Sequence, residues 1–261
     1  MNAGTVRTAW NSYRALAAML ARSVLREPVG AFFSLAFAPI LLLLLGFVLG
    51  NEPAPHFGGV GYVDAALPAF SSIVLATTGV MLVPTSRLGL RASGATRRLF
   101  VTPLRPSVYV AAELSVFFVI GLAGVVLAFL AGVLVFGVPV PQQPFVVLGA
   151  VGLGLAAFLA FGHTLAELMP STAAATGLGN VLMIALMFSS GAFVPVQAMS
   201  EPMRRVSEFS PVRHYVDLVR SGWDGGVSEP GVSIAVLFGM GLVFGALGTL
   251  LFHRRLARGA A

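Results

Sequence analysis

The sequence predicts an all-α membrane protein: six transmembrane helices preceded by an N-terminal amphipathic interfacial helix. Three observations carry that prediction. Of 261 residues, 57% are hydrophobic and only 10% are charged, against roughly 25% charged in a soluble globular domain, so the polar surface needed to cover such a core is missing. Stretches 28–51, 65–86, 114–166, 168–200 and 230–253 contain no Asp, Glu, Lys or Arg, and each is at least as long as the ~20 residues that cross a bilayer. Runs such as Ile40 to Leu45 are apolar on every side, whereas a transmembrane barrel needs strands that alternate apolar and polar side chains.

The elements follow in order. On a helical wheel, residues 7–26 group Arg7, Arg14, Arg22 and Arg26 on one side and Trp10, Tyr13, Ala17, Leu20 and Val24 on the other. That pattern, broken by Met19 and Leu25, predicts an interfacial helix over 7–27. Pro28 then turns the chain into span one, 30–50, which is longer than the apolar core of a signal peptide and has no small-residue cleavage site after it. Span two fits 64–84. The stretch 114–166 is too long for one helix and holds Gly137, Pro139, Pro141 and Pro144 near its middle, so it divides into span three, 108–136, and span four, 145–168. Pro170 separates span five, 172–194, and the last span is 232–252. Gly241 and Gly245 form a small-xxx-small pair that lets helices approach closely.

Charge sets the orientation and excludes several functions. All 16 basic residues are Arg, and neither Lys nor Cys occurs. Without Lys there is no phosphate-binding P-loop, and without Cys there are no disulfides, thiolate metal sites or Cys nucleophiles. Twelve Arg lie on one side: four before span one, Arg87, Arg91, Arg97, Arg98 and Arg105 between spans two and three, and Arg254, Arg255 and Arg258 at the end. That side, with both termini, is expected to be cytoplasmic, and the placement of Arg at the ends of apolar runs argues against nucleic-acid binding. The Arg-only, Ala/Gly/Val-rich composition fits a GC-rich bacterial source. The remaining four Arg fall in residues 201–229, where five acids leave one net negative charge. There Arg204/Glu208, Arg213/Asp217 and Arg220/Asp224 stand at the i,i+4 pairing distance.

Ionisable residues inside the spans are functional candidates by default, and they are few: Glu113, His163 and Glu167. Glu113 and Glu167 lie close enough to span ends to reach interfacial water, and the structural reading of the three is favoured. Thr77, Thr78 and Asn180 are polar residues within spans that prefer a neighbouring helix or an aqueous path to lipid, and Met183, Met187 and Phe188 near Asn180 form an adaptable apolar surface. An intramembrane serine hydrolase is the alternative function, drawing on Ser189 or Ser190 with His163 or His214. Against it, Phe188 stands where a Gly would complete a nucleophile turn, and His214 falls outside the spans.

Two segments carry a family resemblance. Ser93-Gly94-Ala95-Thr96-Arg97-Arg98-Leu99-Phe100-Val101-Thr102-Pro103-Leu104 resembles the segment after the second span of ABC-2 type permeases, the membrane subunits of ATP-binding-cassette exporters. Ser190-Gly191-Ala192-Phe193-Val194-Pro195, followed by Pro202, Ser210-Pro211, Tyr215, Asp217 and Arg220, is similar to the family's span-five ending and external re-entrant segment, with one extra residue between Pro211 and Tyr215. The chain departs from the pattern in having Arg91-Ala92-Ser93 where the family often has Glu, and Glu113 where a basic residue is common. The resemblance implies the ABC-2 exporter fold and a drug, polyketide, lipid or polysaccharide as cargo, and a path lined by Met, Phe, Ala and Val favours a hydrophobic or amphipathic cargo over a sugar chain. It also implies a second permease chain and a separate ATPase subunit that binds ATP and Mg, this chain holding no cofactor of its own. Residues 85–107 are then the cytoplasmic coupling segment, with Arg91, Arg97, Arg98, Leu99, Thr102 and Pro103 as ATPase contacts. Thr77, Thr78, Asn180, Met183, Met187 and Phe188 are assigned to the substrate path. Residues 195–230 form the external re-entrant segment, with Gly191, Phe193, Pro195, Pro211, Tyr215, Asp217 and Arg220 as the external gate.

Overall fold

The computed structural model describes residues 3–54, 59–96, 105–190, 200–225 and 230–257, with side chains from Trp10 onward. Among them are six helices long and apolar enough to cross a membrane, and the chain is a multi-pass membrane protein. In chain order the helices are α1 (Ala3–Arg26), α2 (Pro28–Leu49), α3 (Tyr62–Ala92), α4 (Pro106–Phe136), α5 (Pro144–Leu168), α6 (Thr172–Ser189), α7 (Glu201–Glu208), α8 (Pro211–Trp223) and α9 (Pro230–Ala257). The end of the bundle at which α1 docks and α9 finishes is called the terminal end below; the opposite end is the distal end.

Proline starts and glycine stops these helices. Pro28, Pro106, Pro144 and Pro211 occupy first-turn positions, where the missing N–H has no partner to lose. Gly137 ends α4 at φ 69°, in the left-handed region that a side chain disfavours. Two prolines inside spans do something else. Pro39 and Pro84 cannot donate to the carbonyls of Leu35 and Val80 four residues earlier, and each of those carbonyls lies in a π-helical turn, Phe32–Ala36 in α2 and Thr77–Leu82 in α3. Widening the turn shifts the pairing by one residue where proline has removed the α-helical donor.

Helix α3 is the axis of the bundle, buried along nearly its whole length. Leu67, Phe70, Ile73 and Leu75 pack with Leu155 and Phe158 of α5 and with Tyr215 of α8. The crossing of α3 and α5 is glycine-on-glycine: a Cβ on Gly79 would strike the Phe158 carbonyl, and one on Gly162 would strike the Gly79 carbonyl. Helix α1 lies on α4 with Leu20 and Val24 against Val116, Phe117 and Ile120, leaving Met19 and Leu25 exposed. Gly241 and Gly245 lie 3.7–3.8 Å from Ala157 and Ala160 by their would-be Cβ positions, so this pair seats α9 on α5.

The sequence placed the end of span two at residue 84, yet α3 continues two turns further, to Ala92. Arg87 reads as an exit from the membrane in one dimension; folded, it is 1% exposed and paired. The helix of span five ends at Ser189, and residues 191–199 lie outside the described part. Of the three expected pairs in 201–229, Arg213–Asp217 forms at 3.1 Å. Arg204 pairs with Glu201 instead, as does Arg205, and Arg220, close enough to Asp224 for the two charges to interact, also donates to the Ala65 carbonyl at 2.8 Å. Helix α7 places Glu201 one turn before both arginines, and α8 is packed tightly enough to bring Arg220 onto the start of α3.

Candidate functional site

Two features stand out, a buried charge cluster at the terminal end and a groove beside it. The cluster grows from Arg87. Its guanidinium pairs with Glu113 of α4 and, at 3.1 Å, with Glu167 of α5, and it is hydrogen-bonded to His163 Nδ1. Arg91, one turn on, donates from one nitrogen to both Glu167 oxygens at 3.1 and 3.2 Å. Arg255 of α9 lies 3.7 Å from the same carboxylate and donates to the Glu167 backbone carbonyl at 2.8 Å. Tyr109 donates to Glu113 at 3.4 Å, while the Arg87 guanidinium lies 5.9 Å from the Tyr109 ring and 5.6 Å from the Phe252 ring. Three guanidiniums therefore face two carboxylates, tying α3, α4, α5 and α9 together.

This overturns the expectation that Glu113 and Glu167 reach interfacial water: they are 0% and 4% exposed. Pairing is what permits it, since a buried charge left without a partner is costly. The candidate residues of the serine-hydrolase reading are held apart, and the cluster engages one of them. His163 bonds Arg87 at the terminal end, His214 bonds Ser233, and the Ser190 hydroxyl, at the other end of the bundle, donates to the Met187 carbonyl.

The groove has a volume of about 380 Å³ and runs between α2, α3 and α6, from Glu27 and Thr85 at the terminal end to Met187. The π-turn of α3 and its next turn supply Thr77, Met81 and Thr85; α6 supplies Thr172, Thr176, Asn180, Met183 and Met187 from positions that recur about every fourth residue; α2 supplies Phe33 and Phe37. Of the assigned path residues, the structure thus brings Thr77, Asn180, Met183 and Met187 together. Thr78 turns the other way, fully buried, its hydroxyl on the Val74 carbonyl. Phe188 is 48% exposed and outside the groove lining.

The remaining assigned residues divide between the two ends. Arg91 is held by Glu167, whereas Arg97, Arg98, Leu99, Thr102 and Pro103 lie outside the described residues, as do Gly191, Phe193 and Pro195. Pro211 opens α8, which lies against α3, α5 and α9. Tyr215 is fully buried with its hydroxyl 2.9 Å from Ser71; Asp217 pairs with Arg213, and Arg220 ties α8 to Ala65. Sequence reasoning missed Arg87 and Arg255 as partners of the intramembrane acids. The signal lay in the tally: two acids within otherwise charge-free spans imply cations on facing helices. It also missed Glu27, Thr85, Thr172 and Thr176, whose place at span ends disguises a shared wall.

Comparison with known proteins adds to this geometry. A family model described as ABC-2 type transporter matches residues 11–223. A Bacillus subtilis (strain 168) protein named "Putative transport permease YvfS" is 28% identical over 137 residues, which is 51% of this chain and 56% of that protein. The match therefore spans little more than half the length of the relative.

Proposed function

The chain belongs to the ABC-2 type transporter family, and from that premise we propose that it is the permease subunit of an exporter whose ATP is bound and hydrolysed, with Mg, by a separate ATPase chain. The observation that carries the reading is the groove between α2, α3 and α6. Its volume of about 380 Å³ falls in the ~300–1,000 Å³ range of ligand sites, and it joins Met and Phe surfaces to a few polar groups, which suits a hydrophobic or amphipathic cargo such as a drug, polyketide or lipid.

In this reading the chain sits in a bacterial plasma membrane with the terminal end cytoplasmic, because that side carries twelve of the Arg. A second permease, identical or paralogous, faces the groove and closes it into a path. The ATPase docks on the segment following α3 and on α1. Binding and hydrolysis of ATP favour one of two conformations by differential affinity, alternately opening the path to each side. The chain's own residues supply the linkage: Arg87 and Arg91 fix the terminal end of α3 to α4, α5 and α9, so that a push on the end of α3 moves four helices together, while α6 touches the rest mainly through α3 and α8 closes the outer end.

Inverted vesicles containing the chain with its ATPase are expected to take up cargo on addition of ATP, and vesicles containing the chain alone are not. Uptake unaffected by an ATPase lacking its phosphate-loop Lys would overturn the reading. Peptide cleavage by the purified chain, stopped by Ser190→Ala, would replace it with the hydrolase.

A further inference from the structure

We propose that the groove between α2, α3 and α6 selects an amphipathic organic cation, an apolar body carrying an ammonium or phosphonium centre, over anions of the same shape; the inference rests on the reading of this groove as the cargo path. It comes from the direction in which the lining's hydrogen-bonding groups point. Thr77, Thr85 and Thr176 each donate their hydroxyl proton to a carbonyl of their own helix, at 2.7, 2.6 and 3.0 Å, to Ile73, Met81 and Thr172. With those protons committed, these hydroxyls offer lone pairs to the groove.

The rest of the wall has the same sign. Met81, Met183 and Met187 present thioether sulfurs, weak acceptors, and Phe33 and Phe37 present rings whose faces are electron-rich. Among the described residues, Glu27 is the charged one of the lining. Its carboxylate lies beside Gly30, 3.7 Å from where a Cβ there would stand, so the missing side chain leaves room between the carboxylate and Leu82. Among the described residues no Arg or His lines the groove; Arg22 and Arg26 line an open face along α1 that adjoins it and shares Glu27 with it. Asn180 brings an amide with both donor and acceptor. A cation entering from the terminal end thus meets Glu27 first and then a column of lone pairs and ring faces, whereas an anion meets the same column as repulsion. An amphipathic body replaces water along the Phe and Met surfaces, which gives affinity without regard to sign, and the charge pattern gives the selection.

The test uses tetraphenylphosphonium and tetraphenylborate, which share a shape and differ in charge. The full chain in lipid nanodiscs is photolabelled with an azidophenyl-triphenylphosphonium, and the label is mapped by mass spectrometry. The expected result is labelling of peptides from α2 and α6, displaced by tetraphenylphosphonium at lower concentration than by tetraphenylborate. Glu27→Gln is expected to raise the displacing concentration of the cation about two- to five-fold, the range of a partly solvated ion pair, and to leave that of the anion unchanged. Phe37→Leu, which keeps apolar bulk, is expected to weaken the cation alone. Label confined to other peptides, or displacement by the anion at least as well as by the cation in the native chain, overturns the proposal. The two readings fail separately: cation-selective labelling without ATP-driven uptake of the probe into inverted vesicles would leave the site standing and remove the exporter, and uptake of anions with no labelling of the groove would do the reverse.

Discussion

Arg87 serves two carboxylates and an imidazole from three strands of contact that its planar fork can reach at once. Removing it leaves Glu113 and Glu167 buried with fewer cations, and breaking a buried pair on one side typically costs about 3–5 kcal/mol. Arg87→Ala is therefore expected to lower the thermal midpoint of the detergent-solubilised chain sharply. Adding Glu113→Gln to it should recover part of the loss, because the double variant no longer holds that unpaired carboxylate. An unchanged midpoint in the single variant would show that water reaches the cluster. Arg87→Lys keeps the charge and loses the fork, and an intermediate midpoint is expected. Much of this was readable in the sequence, and the part that was not has a physical cause. Glu113, His163 and Glu167 announce themselves within charge-free stretches. Arg87 and Arg91 do not, because a positive charge at a span end is equally what orientation requires, and only the folded chain shows a carboxylate on the facing helix.

The six spans were legible because lipid forces each into ~20 apolar residues whatever its neighbours do. What that pressure does not specify is where two spans touch. Gly79, Gly149 and Gly162 look alike in sequence, yet Gly79 and Gly162 press backbone to backbone across α3 and α5, while a Cβ on Gly149 would meet open space. Gly162→Ala is expected to destabilise by about 1–3 kcal/mol, since neither backbone can give way. Gly149→Ala should be neutral or stabilise by up to about 1 kcal/mol through helix propensity. Thermal unfolding of the two variants side by side checks this, and equal midpoints would mean that α3 and α5 cross elsewhere. The π-turns were encoded too, by Pro39 and Pro84, but a proline within a span predicts a disturbed pairing four residues earlier and not its form. One such turn carries Thr77 to the groove, which is why the neighbouring Thr78 faces the core instead.

On the scale of the whole molecule, charge has to orient the chain, hold it together and, in the proposed reading, meet a partner, and the Arg of α3 and of the segment after it are expected to divide these tasks. Orientation rests on all twelve Arg of one side, so reporters fused after Arg258 or within Ala92 to Arg98 are expected inside, and one within Glu201 to Asp224 outside. A reporter at 201–224 found inside would break the six-span order. Arg87 and Arg91 are committed to Glu113 and Glu167, so in the proposed reading Arg97 and Arg98, which lie outside the described residues, are expected to be the pair that meets the carboxylate-bearing surface of an ATPase. Two variants with opposite outcomes follow. Arg97→Glu with Arg98→Glu should abolish co-purification of the ATPase and export while membrane level stays normal, because reversal replaces attraction with repulsion of several kcal/mol in a partly desolvated interface and the seven Arg of the N- and C-terminal segments still set topology. Arg91→Ala should keep the ATPase bound but lower the thermal midpoint, since its loss is felt within the bundle. Pull-down and unfolding of both variants decide between them: an ATPase retained by the double reversal would return Arg97 and Arg98 to a purely orienting role, and an ATPase lost by Arg91→Ala at unchanged stability would place the contact on α3 itself.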